Sequence, residues 1–270
     1  LPPAPPRLPP APQRLPRAPR LAELPMKVAD SCGCFPTGRH YPGIAHLLRV
    51  QAVGIAAELD ASADWHELLI AFIDTETTGR DAERDRLVEV GIVFGLRGEI
   101  TDRKSWLINP GVPIPAEATK VHGIRDEDVA ASPSFAAQLP EIVEALRGAV
   151  PAAYNAGFDR GFLLAELARA GIAVDDPPPA LRRDVEWLDP LVFAREIHKD
   201  EQSRALGDVT ARLGIELERA HRATDDAEAA LRVLYAFGKD PRLPKSYGAL
   251  LQEQRRLSRQ FDEARRFWRR

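Results

Sequence analysis

The segment Phe72-Ile73-Asp74-Thr75-Glu76-Thr77-Thr78-Gly79 sets two carboxylates one residue apart at the end of an apolar run, Leu68 to Ile73. Such a run reads as a buried strand. Side chains on a strand alternate between faces, so Asp74 and Glu76 point the same way. Two carboxylates held side by side repel unless a cation lies between them. The pair therefore reads as half of a divalent-metal site. The same residues also fit a strand that ends in a polar turn at Thr77-Thr78-Gly79, and the segment alone leaves both readings open.

Further acid and base groups follow in order. Tyr154-Asn155-Ala156-Gly157-Phe158-Asp159 comes after the apolar run Ala149 to Ala153 and opens a helical pattern. His221-Arg222-Ala223-Thr224-Asp225-Asp226 opens another. Asp74 and Glu76, then Asp159, then His221 with Asp226 five residues on, resemble the DEDDh group of 3′→5′ exonucleases. Within that group the likeness is greatest to the proofreading epsilon subunits of bacterial DNA polymerase III. Val121-His122-Gly123-Ile124, followed by acidic residues, resembles the same subfamily. The likeness runs from about residue 70 to 237.

The resemblance implies a ribonuclease H-like fold and hydrolysis assisted by two Mg²⁺ ions, with Mn²⁺ able to substitute. Paired ions of this kind lie roughly 3.5–4 Å apart, so several carboxylates must converge on a small volume. Asp74, Glu76, Asp159 and Asp226 are the implied ligands. Asp74 bridges both ions, Glu76 and Asp226 hold the nucleophile-side ion, and Asp159 assists on the leaving-group side. Carboxylate and water oxygens suit Mg²⁺. His221 is the implied general base, because an imidazole with an ordinary pKa of about 6.5 accepts a proton near neutral pH.

Thr77 and Thr78 are placed by the resemblance as donors to the terminal nucleotide. Val121, His122 and Phe158 match positions that pack its base and sugar, and stacking on an aromatic ring tolerates any base. Core packing explains Phe158 equally well, and a turn-stabilising role explains His122. Tyr154 stands where polymerase-associated members often have histidine. The tail has no clear sliding-clamp peptide: Gln254 and Leu257 begin the spacing, but Arg259 stands where an aromatic is wanted. A polymerase-binding tail is not recognisable either.

The elements that must position these groups alternate. The strand at 68–75 is followed by apolar runs at 86–95 and 103–108, with Gly95 and Gly98 at the turn between them. Helical patterns cover 116–121 and 134–147. A strand at 149–154 leads into a helix at 158–170, and a short strand is expected at 184–188. Helices at 190–198, 205–213 and 224–237 close the domain. The expected architecture is an α/β, ribonuclease H-like mixed five-stranded sheet flanked by helices, with N- and C-terminal extensions.

Four regions are expected. Residues 1–27 are Pro-rich and disordered. Residues 28–67 form a loop and helical extension, with the helix at 43–60. Residues 68–239 are the exonuclease domain, and residues 240–270 a basic amphipathic tail. Met26 is the only methionine, and the reading takes it as the natural start, with residues 1–25 non-native. The net charge of −3 hides a segregation: residues 1–27 carry five Lys/Arg against one acid, and residues 241–270 nine against three. Basic ends suit a polyanion. In the tail, Leu250, Leu257, Phe261, Ala264 and Trp268 make an apolar stripe that docks on the core or meets a partner. Cys32, Cys34 and His40 are too few for a structural zinc site, and two cysteines build no disulfide framework. With no membrane-spanning run and no secretory apolar stretch, the expected location is cytoplasmic.

The function expected is metal-dependent 3′→5′ release of nucleoside monophosphates from single-stranded ends, DNA favoured over RNA, in proofreading or repair with a DNA polymerase subunit as partner. The alternatives are an RNA-trimming exoribonuclease of the same superfamily and a non-catalytic nucleic-acid or polymerase binding module. No membrane is expected as a partner.

Overall fold

The computed structural model describes residues 53–216 and 222–268. The apolar run before Asp74 forms β1 (Ile70–Thr77), buried along nearly its whole length. β2 (Leu87–Leu96) returns antiparallel to it, and β3 (Glu99–Leu107) follows through a tight turn. Arg97 and Gly98 both take positive φ, 55° and 83°, at that turn. A two-residue hairpin needs this conformation to match the strand twist.

Helices α1 (Ala116–His122), α2 (Asp126–Val129) and α3 (Phe135–Ala145) follow. β4 (Val150–Ala152) then pairs parallel to β1, which gives the order β3-β2-β1-β4. Helices α4 (Gly157–Ala170), α5 (Pro190–Ile197), α6 (Leu206–Leu213), α7 (Ala223–Phe237) and α8 (Tyr247–Trp268) complete the chain.

The sheet is mixed and helix-covered as expected, but it has four strands among the described residues rather than five. The segment 184–188 contributes only a single parallel bridge, Ala152 to Leu188. Its backbone is otherwise engaged. Glu186 N–H donates to the Gly54 carbonyl at 2.8 Å, and the Trp187 carbonyl accepts from the Gln254 side chain at 2.9 Å. A ladder cannot extend through groups already paired elsewhere. The helix expected at 43–60 is not formed over its described part, where residues 53–60 make turns. The Pro-rich segment, Cys32, Cys34 and His40 lie outside the described residues.

Alternation along β1 splits the core in two. Ile70 and Phe72 face α7, packing with Leu231 and Leu234. Ala71 and Ile73 face α3 and α4, packing with Leu139, Ile142, Phe162 and Leu163. The first half of α8 belongs to the α7-side core: Tyr247, Leu250, Leu251 and Leu257 are buried there. Beyond Leu257 its residues are mostly exposed, including Arg259, Arg265 and Arg266. No helix among the described residues is long and apolar enough to cross a membrane.

Candidate active site

β1 delivers its two acidic side chains to the α7 side of the sheet, at the end where the apolar run stops. α7 brings a third. One carboxylate oxygen each from Asp74, Glu76 and Asp226 lies within 4.8 Å of the others. Asp226 sits in the first turn of α7. That turn can approach because residue 91, the β2 partner of Asp74, is glycine. A Cβ there would lie 2.5 Å from the Ala223 carbonyl carbon and 2.6 Å from the Thr224 nitrogen. Both are backbone atoms, which cannot swing aside as a flexible side chain can.

Asp159 arrives from the other side. It occupies the first turn of α4 and is buried. Thr75, between Asp74 and Glu76, points to that side and donates its hydroxyl to Asp159 Oδ1 at 2.8 Å. The start of α4 is fixed by Asp189, whose carboxylate accepts from Asn155 N–H at 2.9 Å and Ala156 N–H at 3.1 Å. Asn155 holds a left-handed φ of 67° in this turn. Gln254 on α8 donates to the Trp187 carbonyl and accepts from Asp189 N–H at 2.8 Å. The tail helix thereby holds the loop that holds α4.

The electrostatics follow from this convergence. Burial pushes the Asp74 carboxyl well above the usual carboxylate range, reinforced by Asp159, Glu76, Asp226 and Glu89. Glu76 is pushed up to about 8, first by burial and then by Asp226, Glu89 and Asp159, with Arg222 opposing. Asp159 is pushed up to about 7 by burial, against the hydrogen bonds it accepts from Thr75. Acids this close cannot all ionise cheaply without a counter-charge. An all-oxygen, anionic donor set of this kind fits a hard divalent cation.

The structure brings Asp74, Glu76 and Asp226 into one cluster, with Asp159 adjoining through Thr75. His221 lies outside the described residues. Thr77 and Thr78 are buried, and their hydroxyls are engaged in the turn after β1. Thr77 donates to the Gly79 carbonyl at 2.5 Å, and Thr78 Oγ1 accepts from Arg86 N–H at 2.9 Å. His122 is buried at the end of α1, where its Nδ1 accepts from Ile124 N–H at 3.1 Å. Phe158 stacks in tilted fashion on Phe162, ring centroids 4.9 Å apart. Val121 is exposed.

Several residues that build the site carry no signal of their own in the sequence. Thr75 reads as a spacer between two acids, and Gly91 as a break in an apolar run. Asp189 precedes Pro190 and caps α5, its side chain accepting from Leu191 N–H at 3.0 Å. Its second task, on α4, depends on tertiary contact.

Comparison with known proteins gives concordant results. A family model described as Exonuclease matches residues 71–234. The DNA polymerase III PolC-type protein of Streptococcus thermophilus is 34% identical over 174 residues, which cover 64% of this chain and 11% of that protein. The chain therefore spans about a tenth of the length of this curated relative. Among solved structures, Exonuclease X in complex with 5′ overhanging duplex DNA superposes with a TM-score of 0.52 at 22% identity, over 67% of this chain and 97% of that one. The nuclease domain of 3′hExo, a DEDDh family member bound to rAMP, gives a TM-score of 0.55 at 18% identity, over 68% and 96%. At these identities the superpositions establish a shared fold.

Proposed function

The chain belongs to the exonuclease family, and from that premise we propose that it is a metal-dependent 3′→5′ exonuclease of the DEDDh type, releasing nucleoside monophosphates from single-stranded DNA ends. The observation that carries this reading is the convergence of Asp74, Glu76 and Asp226 within 4.8 Å, with Asp159 tied to the same strand through Thr75.

Bound in this site, two Mg²⁺ ions, or Mn²⁺ in their place, supply Lewis-acid activation of water and charge neutralisation at the leaving 3′-oxygen. Asp74, part of the converging cluster, would help to hold both ions. Glu76 and Asp226 would help to hold the ion that activates the water, and Asp159 the ion that neutralises the leaving oxygen. Each carboxyl must give up its proton to bind. The raised values of Glu76 and Asp159 therefore make occupancy favour neutral to alkaline pH. His221 is assigned the proton from the attacking water. Val121, His122 and Phe158 are assigned to the terminal base and sugar, with Thr77 and Thr78 shaping the turn beside them.

DNA is favoured because the PolC-type relative is a DNA polymerase and Exonuclease X is complexed with DNA. Proofreading or repair beside a DNA polymerase subunit is proposed on the likeness to the same relative. The exonuclease domain is assigned to residues 68–239 and the basic tail to 240–270, in a cytoplasmic protein. The rAMP bound to 3′hExo favours a second reading, trimming of RNA 3′ ends. The two are separated with 5′-labelled single-stranded DNA and RNA of matched sequence, incubated with Mg²⁺ or EDTA. A metal-dependent ladder shortening from the 3′ end, faster on DNA, is expected. A faster RNA ladder would replace the DNA assignment, and no ladder on either strand would overturn the nuclease reading.

A further inference from the structure

Glu89 is a buried carboxylate that takes no part in the converging cluster. It lies on β2 directly opposite Glu76 and is fully inaccessible to solvent. Like charges opposite one another across a strand pair are destabilising, and a buried carboxylate is costly unless well paired. Both of its oxygens are engaged. Ser105 Oγ, on β3, donates to Oε1 at 2.6 Å. Arg222 donates from Nη2 to Oε1 at 3.3 Å and from Nε to Oε2 at 3.4 Å.

Arg222 is the N-cap residue of α7, in an extended conformation with φ −129° and ψ 123°. Its carbonyl accepts from Asp225 N–H at 2.9 Å and Asp226 N–H at 3.0 Å. One residue therefore grips the sheet with its side chain and the backbone of Asp226 with its carbonyl. Gly91, two residues beyond Glu89, leaves room for the same helical turn.

We propose that the Arg222–Glu89 pair is a positioning device that locks the first turn of α7 onto β2 and so holds the Asp226 carboxylate at the metal site. The inference rests on the metal-site reading above. Arg222 and Glu89 act through Asp226 and do not themselves meet the cation. The planar guanidinium makes two bonds in a fixed fork, which sets direction as well as distance. A lone ammonium cannot do so.

The sign of the effect separates positioning from simple electrostatics. Arg222 is a cation beside a site for dications, so Coulomb repulsion alone makes its removal tighten metal binding. Positioning makes its removal weaken it. Mn²⁺ binding to the full chain, followed by the electron paramagnetic resonance of free Mn²⁺ at fixed pH, reads this directly. Arg222→Leu is expected to weaken binding by ~10–100-fold, the usual loss when a ligand's orienting partner is removed, and Arg222→Lys by less. In an Asp226→Asn background, Arg222→Leu should add little further loss. Glu89→Gln/Arg222→Leu, which leaves no unpaired buried carboxylate, should remain folded and still bind weakly. Unchanged or tighter Mn²⁺ binding by Arg222→Leu, or a full additional loss in the Asp226→Asn background, overturns the proposal. Failure of wild type to bind Mn²⁺, or wild-type binding by Asp226→Asn, would instead remove the metal-site reading and this inference with it.

Discussion

Thr75 Oγ1 donates to Asp159 Oδ1 across 2.8 Å, and this bond joins the two faces of the sheet at the candidate site. Asp74 and Glu76 look toward α7, while Asp159 comes from α4 on the opposite side. The residue between the paired acids is what links them. Replacing Thr75 by valine keeps the strand-forming shape and removes the donor. The expected result is a rise of about tenfold in the Mg²⁺ concentration needed for half-maximal activity, because a ligand-orienting bond is lost. A Mg²⁺ titration of nucleolytic rate checks it. An unchanged midpoint would show that Asp159 is held without Thr75.

The acid cluster predicts an unusual pH dependence of stability in the metal-free protein. Glu76 is pushed up to about 8, Asp159 to about 7, and Asp74 well above the usual range. In the unfolded chain these groups ionise near pH 4. Between that value and their raised folded values, the native state binds more protons than the unfolded one, so stability falls as pH rises. Thermal melts in EDTA should show a lower midpoint at pH 9 than at pH 5.5, and Mn²⁺ should restore the loss at pH 9. Asp74→Asn should flatten the slope by removing one repelling charge. A metal-free melt that strengthens steadily from pH 5.5 to 9 would contradict this electrostatic picture.

The tail is expected to divide in function just beyond Phe261, the last of its side chains packed on the core. Its proximal half is core, and Gln254, 4% exposed, bridges Trp187 and Asp189. Gln254→Ala leaves buried backbone groups unpaired and should cost about 1–3 kcal/mol. Truncation after residue 240 removes buried Leu243, Tyr247, Leu250, Leu251 and Leu257 as well and should prevent stable folding. Truncation after residue 264 keeps Phe261, which packs against the core, removes exposed Arg265 and Arg266, and should leave the melt nearly unchanged. If those arginines meet phosphates, the same truncation reduces the salt dependence of DNA binding. Chemical denaturation and salt titrations of the two truncations decide each point.

Much of this was legible in the chain because local pattern and tertiary role agree. The strand expected at 68–75 forms at Ile70–Thr77, the apolar run at 86–95 gives the strand Leu87–Leu96, and the helix expected at 158–170 forms at Gly157–Ala170. The spacing of Asp74 and Glu76 gives their shared face directly. The expected strand at 184–188 failed because its carbonyls and amides are claimed by Gln254 and Gly54, residues distant in sequence. Glu89 is a single acid within the apolar run 86–95. Its partner, Arg222, is 133 positions away, and no periodicity joins them. The tail's apolar stripe was visible, but only packing shows that it meets the core as far as Phe261 and that Gln254 is taken up inside the fold.

The central claim is that the carboxylates gathered around Asp74 carry out metal-dependent removal of nucleotides from a 3′ end. The most direct measurement is release of a fluorescent 2-aminopurine nucleotide from the 3′ terminus of single-stranded DNA under single-turnover conditions. Wild type and Asp74→Ala are compared in Mg²⁺ and in EDTA, with circular dichroism confirming that both are folded. Rapid release by wild type in Mg²⁺ alone is expected, with none by Asp74→Ala in either condition. Release by folded Asp74→Ala at a rate near that of wild type, or undiminished release by wild type in EDTA, would contradict it.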